Sequence, residues 1–210
     1  VGDNRPLLYG AICAAQCLGA VPVPVYQDAV ADEMGFVLAH GEARIAVAED
    51  QEQVDKLLAV GARAPALERI VYDDPRGMRD YDHARLGSLE ALMEAGRAAL
   101  ARDPGLVARE VALGAGGDIA VMLYTSGTTG QPKGVMLTYD NVLTTCANAV
   151  AFDRLGQDDE ILAYLPMAWV GDHIFSYGEA LISGFCVACP ESGATVMTDL
   201  KEIGPTFFFA

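Results

Sequence analysis

Positive charge is scarce in this chain. Fourteen lysines and arginines stand against 29 aspartates and glutamates, for a formal net charge of −15. A surface of that sign repels phosphodiester backbones and anionic lipid heads, which argues against nucleic acid or a membrane surface as the main partner. Long apolar runs are missing too. None reaches the ~18 residues that a membrane-spanning helix needs, and the best candidate, residues 7–26, is broken by Gln16, Pro22 and Pro24. The opening residues, VGDNRP, carry no secretory-signal pattern. Cysteine comes as an odd count of five in 210 residues, which is no disulfide framework. The expected setting is reducing and cytoplasmic, with peripheral membrane association left open. There is no internal repeat and no low-complexity tract.

Metal-ligand spacing is absent as well. Cys186 and Cys189 form C-x-x-C without a second pair, and His40, His83 and His173 are scattered. The alternation in FCVAC reads as a strand whose two thiols meet different surroundings. Cys13 and Cys17, four apart, read as helix packing. The acids Asp158, Asp159 and Glu160 read as a solvated turn rather than an acid–base pair.

What is present is globular, with 52% hydrophobic and 20% charged residues. Short apolar runs alternate with helical patterns. Residues 44–48 (RIAVA) and 69–72 (RIVY) read as strands around a helix over 51–60, with Val54, Leu57 and Leu58 on one face. Residues 73–87, dense in charge and turn formers, read as a surface loop. Ser88 can cap a helix carrying Leu89, Leu92, Met93, Gly96 and Leu100 at the helical period. Residues 118–124 form a doubly apolar strand, and Thr138 can cap a helix over 141–151 with Asp140 in its first turn. EILAYLP, FCVAC and TFFFA read as further strands, and 171–183 as a helix. The alternation predicts an α/β fold of mostly parallel sheets with flanking helices.

One stretch carries chemistry. After the apolar strand comes TSGTTGQPKG, residues 125–134. In parallel α/β sheets ligands bind at the carboxyl ends of strands, where this loop falls. Gly127, Gly130 and Gly134 let backbone N–H groups turn towards an anion, Thr125, Ser126, Thr128 and Thr129 add hydroxyl donors, and Lys133 adds a full positive charge. It is neither a Walker A loop, since Pro132 precedes and Gly134 follows the lysine, nor G-x-G-x-x-G.

YTSGTTGQPKGVMLT closely resembles the phosphate-binding signature of the AMP-forming adenylating enzymes, which include acyl-CoA synthetases, luciferases and peptide-synthetase adenylation domains. VGDNRPLLYGAICAAQCLGAVPVPVY resembles the start of that family's large N-terminal domain. ILAYLPMAWVGDHIFSYGEALISGFCVACPESGATVMTDLKEIGPTFFFA resembles the segment after the phosphate loop in bacterial long-chain fatty acyl-CoA synthetases. The resemblance implies that residues 1–210 are an incomplete large N-terminal, AMP-binding domain of the adenylate-forming fold. The C-terminal catalytic domain would be absent, and this piece alone would be inactive. An oligomer of such a piece could reflect truncation.

The activity implied is ligation of a long-chain fatty acid to coenzyme A through an acyl-adenylate, using ATP and Mg2+. Thr125, Ser126, Gly127, Thr128, Thr129, Gly130 and Lys133 would hold the ATP phosphates, Lys133 in the catalytic role and Thr125 also as a magnesium ligand. Trp169, Gly171 and His173 would border the acyl pocket. Some long-chain relatives carry a gating tryptophan near the slot that His173 takes, which leaves open whether Trp169 or His173 gates the site. The partners implied are small molecules: ATP, the acid and coenzyme A. Two other readings remain open: a ligase for an aryl, short-chain or amino acid in the same superfamily, and a truncated, non-catalytic module that binds a nucleotide or acyl group.

Overall fold

Proline at the first position of a helix gives up an N–H that would have no partner there, and the first helix, Pro6–Cys17 (α1), begins in this way. The computed structural model describes residues 1–125 and 132–209. A second helix, Ala31–His40 (α2), leads to the strand Ile45–Ala48 (β1). Asp50 then caps Gln51–Val60 (α3) by accepting the Gln53 N–H. Arg69–Tyr72 (β2) follows, then a 3-10 turn, Met78–Asp80, and a short strand, Leu86–Ser88 (β3). These three strands pair in parallel in the order β1-β2-β3, with Ala46 opposite Ile70 and Ile70 opposite Leu86. Met34, Val54, Leu57, Val60, Leu67 and Ile70 fill the space between sheet and helices.

The second half is built on a hairpin. After Leu89–Arg102 (α4) and Leu106–Val111 (α5) come Ile119–Thr125 (β4) and Lys133–Thr138 (β5), which pair antiparallel. Thr138 and Asn141 form a reciprocal capping box that starts Tyr139–Asp153 (α6). Glu160–Leu162 (β6) and Cys186–Ala188 (β7) pair in parallel. Between them lies one helical run of three parts: Val170–Asp172 (α7), a π-helical segment His173–Gly178, and Glu179–Ser183 (α8). Val196–Ile203 (α9) follows. Val121 and Leu123 of β4, Val142 and Cys146 of α6, and Ile174 of the π-helical segment share a buried cluster.

The α/β fold with parallel sheets stands, and the helices over 51–60 and after Ser88 and Thr138 form where their caps and periods place them. Four expectations change. Residues 133–138 are a strand, because Lys133 to Thr138 complete a ladder on β4 that the sequence pattern did not suggest. Residues 73–87 are not wholly a surface loop: Met78 is buried and Leu86 begins β3. The run TFFFA is not a strand in its described residues. The Thr206 and Phe207 N–H groups both meet one carbonyl, Glu160 O, so no ladder develops. Finally, Leu92, Met93 and Leu100 of α4 are exposed rather than packed into a core.

The packing makes a sharp contrast testable. Ile70→Ala, at a fully buried position in β2, should lower unfolding free energy by about 2–5 kcal/mol. Leu92→Ala, on the open face of α4, should change it by no more than about 0.5 kcal/mol. Denaturant titration of the two variants reads both values.

Candidate functional site

An antiparallel ladder places directly opposed residues on one face, with Cβ atoms roughly 5 Å apart. Thr125 ends β4 and Lys133 begins β5, and the two are direct partners in the register. Both are exposed. The ladder thus sets a threonine and a lysine side by side on its last rung before residues 126–132. Ser126, Gly127, Thr128, Thr129 and Gly130 lie outside the described residues.

The next rung inward is Tyr124 opposite Gly134. A Cβ at Gly134 would stand 3.0 Å from Met122 Sδ and 3.4 Å from Tyr124 Cζ. Glycine at 134 therefore lets the Tyr124 ring lie close over the partner strand. The Tyr124 hydroxyl reaches His40 Nδ1 at 2.7 Å, and Phe36 and His40 both meet the Tyr124 ring edge-on. The C-terminal turn of α2 thus braces the base of the hairpin. Burial pushes the Tyr124 hydroxyl pKa up. Neither His40 nor Phe36 carries a local pattern that marks it, and only the packing of α2 against β4 brings them to the loop. Along the other edge of β4, the Met122 N–H donates to Pro22 O, and Gln16 Nε2 donates to Ala120 O.

The second group of expected residues starts the helical run after Pro166. Trp169 is half-exposed, and its ring lies over Gly171, where a Cβ would sit 2.6 Å from Cζ3. Any larger residue at 171 would displace the indole. His173 behaves differently. It is buried against Tyr177, ring centroids 5.1 Å apart, and its Nε2 has no partner. Burial holds its pKa down at about 4, so the ring is neutral at physiological pH. Trp169 therefore stands at the surface end of the run, while Gly171 under its ring and His173 further along are both buried.

The same run carries two buried acids that the sequence pattern did not flag. Asp172 is almost fully buried, and burial raises its carboxyl to about 6 despite hydrogen bonds from Tyr9, Ser176 and Asn4. Glu179 is fully buried with neither carboxylate oxygen partnered. Burial first, and then the charge of Asp153, raise its pKa to about 7. The π-helical segment between them fits closely against α6. A Cβ at Gly178 would overlap Cys146 Sγ at 2.4 Å, and that thiol donates to Ile174 O at 3.8 Å. The remaining thiols divide: Cys13, Cys17 and Cys189 are partly buried, whereas Cys186 is exposed rather than packed in a core. The pKa of Cys189 is pushed up to about 11 by burial, so Cys189 presents no thiolate. Among the described residues no cluster of three or more His, Cys, Asp or Glu could hold a metal ion. Among them, too, no helix is long and apolar enough to cross a membrane. Asp159 holds its turn through the Gly156 N–H and the Thr206 hydroxyl, as a turn residue should.

A family profile described as AMP-binding enzyme matches residues 1–210. The chain belongs to the AMP-binding enzyme family. Its similarity to individual members is moderate but extensive. It is 30% identical over 98% of its length to the long-chain-fatty-acid–CoA ligase heimdall of Drosophila melanogaster. It is 31% identical over 75% of its length to the long-chain-fatty-acid–CoA ligase FadD15 of Mycobacterium bovis, and 30% identical over 95% to human ACSBG2, a third long-chain-fatty-acid–CoA ligase. The chain spans 31%, 25% and 29% of the lengths of these three relatives. Solved members share the fold. An anthranilate CoA ligase, AuaEII, in complex with anthranoyl-AMP superposes with a TM-score of 0.72 over 95% of this chain and 37% of its own, at 19% identity. ATP-bound MatB of Rhodopseudomonas palustris superposes with a TM-score of 0.66 over 96% and 38%, at 20% identity.

The unpartnered acid gives a pH test. A buried carboxyl whose folded pKa lies above its unfolded value favours the folded state only while protonated, so its contribution is lost as pH rises through that interval. For Glu179 the interval runs from 4.5 to about 7. Glu179→Met should therefore raise the melting temperature more at pH 8 than at pH 5, as thermal unfolding at the two values would read.

Proposed function

We propose that the chain supplies the phosphate-binding and acyl-entry part of an ATP-dependent fatty acyl-CoA synthetase acting on long-chain acids. The observation that carries the reading is the Thr125–Lys133 rung, a hydroxyl and a fixed cation at the mouth of the AMP-binding signature. In an acidic chain this is where a polyphosphate finds positive charge. Support for the acid comes from the three relatives named as long-chain-fatty-acid–CoA ligases.

In this reading the fatty acid carboxylate attacks the α-phosphorus of ATP, the bond to the bridging oxygen breaks, and pyrophosphate leaves. The thiol of coenzyme A then attacks the acyl carbonyl and AMP departs. Lys133 lies against the β- and γ-phosphates and offsets charge that grows on the leaving pyrophosphate. Ser126, Gly127, Thr128, Thr129 and Gly130 would complete the cradle. Mg2+ suits Thr125, because that ion takes few protein oxygens and shares the rest of its shell with phosphate and water. The Thr125 hydroxyl would supply one ligand of that shell. When bound, the ion would neutralise phosphate charge. Trp169 and Gly171 border the entrance of the acid, with His173 behind them as a neutral wall. A cytoplasmic location fits this chemistry.

The reading is tested in the product of the complete open reading frame that contains these residues. Lys133→Ala should lower pyrophosphate release from ATP, Mg2+ and palmitate by roughly 100-fold or more, with an unchanged melting temperature because the side chain is exposed. Full activity in that variant would remove the phosphate-cradle assignment.

A further inference from the structure

The segment that carries Trp169 is held from a distance. Asn4 precedes α1 and is almost fully buried. Its side-chain nitrogen donates to Ala163 O and Leu165 O, both at 2.8 Å, in the stretch that runs from β6 to Pro166. The same nitrogen lies 3.1 Å from Asp172 Oδ1 and 3.0 Å from the Tyr9 hydroxyl. Tyr9, on α1, donates its hydroxyl to the Asp172 carboxylate, with oxygens at 2.8 and 2.9 Å. The three residues thus close a buried polar ring across more than 160 positions of sequence, gripping the backbone before Trp169 and the side chain three residues after it.

The ring contains an acid and no base. Asp172 is 1% exposed, and among the described residues no lysine or arginine pairs with it; its partners are an amide and hydroxyls. A buried carboxylate served by neutral donors is a poor source of stability compared with an apolar residue of the same size. What such a network supplies well is a fixed geometry, because each donor has one direction in which it is satisfied. The segment it fixes begins with the only tryptophan of the chain, whose ring rests on Gly171, one residue before Asp172.

We propose that Asn4, Tyr9 and Asp172 are positioning residues that set where the Trp169 indole stands at the start of the helical run. Resting on the reading of Trp169 as a border of the acyl site, they also set how wide that entrance is. None of the three touches the acid. They act through the backbone of residues 163–172 and the seat that Gly171 offers the ring.

The lone tryptophan makes the proposal measurable without any enzymatic activity. In the 210-residue chain, acrylamide quenching of Trp169 emission should rise in Asp172→Asn and in Tyr9→Phe while far-ultraviolet circular dichroism stays that of the parent. Tyr9→Phe removes one oxygen and keeps the ring, so it serves if Asp172→Asn folds poorly. The parent should also show a step in quenching as pH falls through about 6, where the Asp172 carboxyl takes up its proton, and Asp172→Asn should lack it. The groups facing Asp172 are the Tyr9, Ser176 and Asn4 side chains and the Cys189 thiol; the thiol titrates at about 11 and the neighbouring His173 at about 4, well away from that step.

Quenching and pH profiles identical to the parent in both variants would overturn the positioning role. In the complete protein, the same two variants should change the ratio of kcat/KM for palmitate to that for octanoate. If quenching changes and that ratio does not, the acyl-entrance role of Trp169 and the selectivity assigned to the ring both fall, and the positioning of the indole stands.

Discussion

A single side-chain amide, that of Asn4, donates to two backbone carbonyls 159 and 161 residues away, and the placement of the candidate acyl entrance depends on it. A buried amide left without acceptors would cost about 1–3 kcal/mol, so the loop before α1 and the stretch after β6 hold each other in one relative position. Arg5 adds a second tie. Its guanidinium bonds Glu49 at 2.7 Å and the carbonyls of Pro190 and Glu191 at 2.8 and 2.9 Å. The two neighbours Asn4 and Arg5 thereby connect the end of β1 with the segments that follow β6 and β7.

The helical run over residues 170–183 concentrates buried polarity, with only Asn4 and Gln53 buried elsewhere among the described polar residues. Asp172, His173, Ser176 and Glu179 are all buried there. Each acid is displaced towards its neutral form by burial, and the histidine likewise. The π-helical segment in the middle is the kind of irregularity that accompanies functional positions in helices. It turns Gly178 onto Cys146 and so brings the run into contact with α6, which begins where the β4–β5 hairpin ends. Packing through Cys146 and Ile174 joins that run, α6 and β4 in one core.

Much of this was legible in the residues. The caps at Ser88 and Thr138 start helices where their side chains predict, since capping is a contact between residues three apart and needs no tertiary information. The chemistry of Lys133 and the threonines was legible for a similar reason: a glycine-rich stretch with hydroxyls and a cation keeps its character in any fold. Strand β5 was not legible. Its six residues, KGVMLT, neither alternate cleanly nor stand apart from the loop before them, and pairing with β4 alone makes them a strand. The apolar period of α4 gave the right helix and the wrong environment, because periodicity defines a face without stating what covers it.

By itself, then, the sequence determined the α/β class, the family signature and the helices capped by Ser88 and Thr138, and it supplied the groups proposed to meet phosphate. Those properties rest on local contacts and on residue chemistry. Only the tertiary structure decided that Thr125 and Lys133 stand on one rung, that Tyr124 leans on His40, that Trp169 is half-exposed while His173 is buried, and that Asn4 reaches Asp172. Each of these joins residues far apart in sequence or depends on what surrounds a side chain, and such contacts exist only once the chain has packed.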